Sequence, residues 1–147
     1  IQMYIAEKSE ALRELYVSSY SYAATANYIH QMATDKLVEL FGAMHPQYTR
    51  QDFYELELAS SGMVRSFMAR KCDRNFTMEQ KLRRFLSCSM TIYGVAEEKQ
   101  QQVIDRVLEM DLKSVADQLV ADAIHQADEQ YQEAERKGKA IEAARNG

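Results

Sequence analysis

Apolar residues return at every third or fourth position along nearly the whole chain. The longest such run is Leu112, Val115, Ala116, Leu119, Val120, Ala123, Ile124, Ala127 and Tyr131. At 3.6 residues per turn this spacing collects them on one side of a helix, and no strand, with its period of two, sustains such a pattern. The same period recurs through Ile5, Leu12, Leu15 and Tyr16, through Ile29, Ala33 and Leu37, and through Leu82, Phe85 and Leu86. Five glycines and one proline are too few for the turns of a β-sandwich or barrel. An all-α fold is therefore expected, a single bundle of about six helices.

The breaks between these stretches carry recognisable chemistry. A first helix is expected over residues 2–20 and a second over 24–41, ending at Gly42, the residue best suited to a left-handed C-cap. His45-Pro46 marks a loop. Thr49 followed by Asp52 reads as an N-cap with an acid in the first turn, opening a third helix that fades near Cys72. Thr77-Met78-Glu79-Gln80 has the form of a capping box and opens a fourth helix that ends at Gly94. A fifth helix covers 97–110, and Asp111 is the natural N-cap of the last. Residues 1–131 are read as one ligand-binding and dimerisation domain, and residues 132–147 as a polar tail, frayed or disordered.

Several function classes are set aside by what the chain lacks. The formal net charge of -4 argues against a grip on nucleic acid by this chain alone, because such binding relies on Lys and Arg at phosphates. The basic cluster Lys81, Arg83 and Arg84 reads as a solvated helix face. Cys72 and Cys88 share no metal-binding spacing with His30, His45 or His125, which read as surface or boundary residues. No metal and no cofactor is expected, and no nucleophile has an evident base and orienting group, so the chain is read as not an enzyme. Without a signal peptide or an apolar run of membrane-spanning length, it is expected to be cytoplasmic, to have no membrane partner and to keep its thiols reduced.

The middle of the third helix is unusual. Small residues at 59–62 leave a shallow groove, and Glu57 stands one turn from Phe53 and from Ser60-Ser61. Two readings stay open: Gly62 admits a crossing helix while Glu57 pairs with Arg65 or another base, or the gap is a ligand cavity roofed by aromatics and methionines. On the second reading the lining is Tyr28, Phe53, Glu57, Ser60, Met63, Phe67, Phe85, Met90 and Tyr93. The ligand is then a small hydrophobic molecule, and the lone acid favours a cationic one. The seam of the last helix, through Leu112, Val115, Leu119 and Ala123, with Leu86 of the fourth helix beside it, is expected to pair with its copy in a homodimer.

Three stretches carry a family resemblance: Tyr28-Ile29 through Lys36-Leu37 to Leu40-Phe41; Phe53 to Glu57 with Ser61 to Met68; and Cys72-Asp73 to Phe76-Thr77 followed by Lys81 to Leu86. In this order they resemble the C-terminal domain of TetR-family transcriptional regulators, over roughly residues 10–125. The resemblance implies a repressor's effector-sensing and dimerisation domain, whose ligand controls DNA binding by an N-terminal helix-turn-helix head. No such head precedes Ile1, which already reads as helical, so the chain is expected to be a fragment. A generic helical protein-interaction domain without a cavity is the alternative.

Overall fold

The computed structural model describes residues 1–145. Among them the chain is 83% helical, with no strand. Seven α-helices follow one another: α1 (Gln2–Lys8), α2 (Glu10–Ser19), α3 (Ala23–Phe41), α4 (Arg50–Ala69), α5 (Met78–Ile92), α6 (Glu97–Glu109) and α7 (Leu112–Arg145). They divide into a unit of α1–α6, residues 2–111, and a second unit formed by α7.

Helix starts follow the side-chain chemistry. At α4 the Thr49 N–H donates to Asp52 Oδ2 at 2.6 Å while Thr49 Oγ1 accepts the Asp52 N–H, closing a capping box. Thr77 and Gln80 close a second one at α5. Each satisfies two backbone donors that the first turn otherwise leaves unmade. The helix expected over 2–20 is in fact two. Ser9 leaves the helical region at φ -154 and its hydroxyl accepts the Leu12 N–H at 3.1 Å, so it caps α2 and breaks the chain from α1. The short period of the apolar residues passes across that break unchanged, which is why pattern alone does not reveal it.

The two glycines expected at helix ends behave differently. Gly94 takes φ +67 and ends α5 as anticipated, and a Cβ there would stand 2.9 Å from the His45 ring. Gly42 keeps right-handed geometry at φ -57, and the chain continues through a 3-10 turn, Gly42–Met44. No left-handed cap is needed because the turn itself takes up the last carbonyls: Phe41 C=O and Gly42 C=O both accept the His45 N–H.

Helix α4 is the centre of the first unit, with α1, α2, α3 and α5 packed around it and α6 laid on α5. Met3, Ala6, Met68 and Leu82 form the innermost cluster, with Tyr16, Val64, Phe67, Phe85 and Leu108 against it. Gln100 closes the α5–α6 corner from a buried position: its amide donates to Val95 C=O and Thr91 Oγ1 and accepts from Ser87.

α7 runs well past Tyr131, where the last helix was expected to give way to a tail; Asn146 and Gly147 lie outside the described residues. The apolar period thins there, but Glu133–Lys137 and Glu135–Lys139 pair at one turn's spacing, each acid N-terminal to its base. That order suits the helix dipole and supports the helix over these positions. Along the expected seam Val115, Leu119, Ala123, Ile124 and Tyr131 are exposed and Leu112 is half-buried.

Candidate functional site

The buried side of α3 carries His30, Thr34, Leu37 and Phe41, one heptad-like row facing α4. Tyr28, expected in the ligand site, lies off that row and is 67% exposed. The remaining expected residues fall into separate clusters. Phe53 is buried against the edges of Tyr48 and His45, at 5.7 and 6.5 Å between ring centres. Phe67 and Phe85 meet edge to face at 5.8 Å within the core. Tyr93, also buried, stacks on Phe41 at 4.9 Å, while Met63 and Met90 are half-buried.

Glu57 and Ser60, on the inward face of α4, are brought near Tyr93 but into different contacts. Glu57 faces His30, whose Nδ1 stands 3.4 Å from Glu57 Oε1. Burial pushes the Glu57 carboxyl above the usual carboxylate range, and the His30 hydrogen bond and charge offset only part of that rise. Ser60 Oγ lies 3.5 Å from Ser89 Oγ. The Tyr93 hydroxyl is buried without a hydrogen bond of ordinary length; burial raises its pKa, nearby Ser60 lowers it somewhat, and Glu57 raises it again.

The imidazole of His30 also sits between two phenol rings, Tyr20 at 6.4 Å and Tyr54 edge-on at 6.3 Å. Beside this group a cavity of ≈ 170 Å³ is lined by Tyr20, His30, Leu58, Ser61, Gly62 and Arg65 and is open to solvent, Leu58, Gly62 and Arg65 all being exposed. None of the nine expected lining residues is in its wall. A larger open groove, ≈ 1110 Å³, runs along α1 and α2 and is lined mainly by charged and small residues such as Glu10, Arg13 and Lys71.

Gly62 explains where the space comes from. A Cβ at this position would meet nothing within 4 Å, so no crossing helix uses the glycine, although Glu57 does pair with another base, His30, as the packing reading expected. Glycine inside a helix costs about 0.5–1 kcal/mol relative to alanine. Gly62→Ala is accordingly expected to raise the unfolding free energy by about that amount, read from the urea midpoint; a loss of stability would show a packing role the geometry lacks.

Of the residues expected at the surface or boundary, His30 and His45 sit at the boundary and Lys81 lies in the interior. His30 is largely buried, and His45 stacks on Tyr48 at 4.7 Å while its Nε2–H donates to Tyr93 C=O at 2.7 Å. Lys81, expected on a solvated basic face, is fully buried. Its ammonium donates to Glu7 Oε1 at 2.6 Å and to Arg70 C=O, and it lies 5.8 Å from the Phe76 ring centre. The Glu7 carboxylate also accepts the Cys72 N–H, joining α1 to the α4–α5 loop. A faint signal existed: Lys81 falls one position before Leu82 and one turn before Phe85, on the apolar side of α5. Nothing in the local pattern points to Glu7.

Among the described residues no three His, Cys, Asp or Glu gather as a metal site, and no helix is long and apolar enough to cross a membrane. No known protein family, curated protein or solved structure matches this chain.

Proposed function

We propose that the chain is an effector-sensing and homodimerisation domain of the kind found in TetR-like transcriptional repressors, where a small molecule bound among the helices controls DNA binding by a separate head. The observation that carries the sensing half is the cavity beside Gly62, where a glycine that no neighbour requires leaves room next to a buried Glu57–His30 pair. Clefts between helices with a few converging polar groups are common ligand sites. The pairing half rests on α7, where Val115, Leu119 and Ala123 of the seam fall on one side of the helix and are exposed, a strip that a two-fold copy would cover.

The sequence-based preference for a hydrophobic cation loses its basis, because Glu57 is matched by His30 and is absent from the cavity wall. In the longer regulator the ligand acts only through its difference in affinity for the two dimer geometries. It must therefore also stabilise the isolated domain, by about 2.7 kcal/mol at a concentration 100 times its dissociation constant.

Sedimentation and thermal-shift measurements test the two halves together. The wild-type chain is expected to sediment as a dimer at tens of micromolar and Leu119→Glu as a folded monomer, since the substitution sets a charge in the centre of the stripe. A monomeric wild type refutes pairing. The apolar row Tyr28, Met32, Leu40 and Met44, all exposed on α3 or just after it, favours a second reading, an interaction domain that binds a protein and no small molecule. That reading prevails if the chain dimerises but no small compound raises its melting temperature.

A further inference from the structure

The cavity beside Gly62 has a definite size and sign. At ≈ 170 Å³ it holds roughly six water volumes of about 30 Å³ each, well below the roughly 300–1,000 Å³ typical of pockets for drug-sized ligands. An effector that fits is a molecule of a few heavy atoms.

Arg65 supplies the formal charge that the protein leaves unanswered. Arg65 is one of the six residues lining the cavity, and its guanidinium makes no ion pair among the described residues. No acid lines the cavity, and Glu57, two turns before Arg65 on α4, is engaged by His30 Nδ1. Tyr20 adds a donor: burial, reinforced by the charge of Glu57, holds its phenol in the protonated form. Ser61 spends its single hydroxyl hydrogen on Leu58 C=O at 3.1 Å and presents lone pairs only. Leu58 and the open space over Gly62 form the apolar part of the wall.

We propose that this cavity binds a small carboxylate, with its anionic end at the Arg65 guanidinium and the Tyr20 hydroxyl and its short carbon chain over Leu58 and Gly62. A planar fork of N–H donors matches a carboxylate in two parallel hydrogen bonds, which a spherical or cationic ligand does not exploit. This rests on the sensing reading of the same cavity and specifies its effector.

Calorimetric titration of the full chain with acetate, propanoate and butanoate, beside ethylammonium and propylammonium at equal ionic strength, separates the possibilities. The carboxylates are expected to bind saturably and the ammonium ions not at all. Arg65→Gln, at an exposed position, is expected to keep the melting temperature and weaken carboxylate binding about tenfold or more, the loss typical of a hydrogen bond to a charged group. Gly62→Leu, whose Cβ would meet nothing within 4 Å, is expected to fill the space and abolish binding in a protein at least as heat-stable as the wild type. Carboxylate affinity untouched by both substitutions overturns the proposal. Saturable ammonium binding that Gly62→Leu blocks overturns the carboxylate assignment and leaves the sensing reading standing. No binding by any compound, charged or neutral, overturns both.

Discussion

Glu7→Ala is expected to cost the fold about 3–5 kcal/mol, the range seen when one partner of a buried ion pair is removed and the other charge stays behind. The reason is the asymmetry of the pair. Lys81 is fully buried, whereas Glu7 retains 17% side-chain exposure, so losing the acid strands the ammonium among Phe76, Arg70 C=O and the core. Lys81→Met removes the stranded charge and leaves Glu7 partly solvated and still accepting the Cys72 N–H, so its cost is expected to be smaller. Urea unfolding of both variants reads the difference; equal losses, or a Glu7→Ala loss under about 1 kcal/mol, would show that the pair behaves like a surface contact.

The same pair predicts a pH dependence. Burial by itself would raise the Glu7 carboxyl, but hydrogen bonds from Lys81 and from Cys72, with the ammonium charge, outweigh it and hold the pKa below its ordinary value. The contribution is therefore fully present above the unfolded carboxylate pKa, about 4.3, and is lost as pH falls through the lower folded value. The acid limb of the stability curve is expected to be shallower in Glu7→Ala than in the wild type.

Phe53→Ala is the second large effect, expected at about 3–5 kcal/mol. Phe53 is 1% exposed and joins α4 to the aromatic stack of His45 and Tyr48, so truncation leaves a void in a region whose backbone is pinned by the Thr49 box and the His45–Tyr93 hydrogen bond. A site that cannot collapse pays the full cavity term. Tyr28→Ala, about half a helix turn from the buried row of α3 and open to water, is the matched control and is expected to change stability by less than about 0.5 kcal/mol. Comparable losses from the two substitutions would contradict the burial pattern.

What the sequence alone determined about this protein is its local order. Helical period, capping boxes at Thr49 and Thr77 and the left-handed stop at Gly94 are decided within a few residues, by backbone donors that the nearest side chain can satisfy. The carboxylate of Glu57 and the gap at Gly62 were visible as unusual for the same reason. Tertiary structure alone decided which groups meet. Glu57 has its partner 27 positions away in His30, and Lys81 has its partner 74 positions away in Glu7. A helical period shows that a residue lies on a face but carries no record of which distant face lies opposite, so of the nine residues expected around one ligand Glu57, Ser60 and Tyr93 come near one another, Phe67 and Phe85 meet in the core, and Tyr28 faces solvent. The cavity beside Gly62 arises likewise from what stands across from it: Tyr20, brought in by α2, and His30, brought in by α3, each packed on α4.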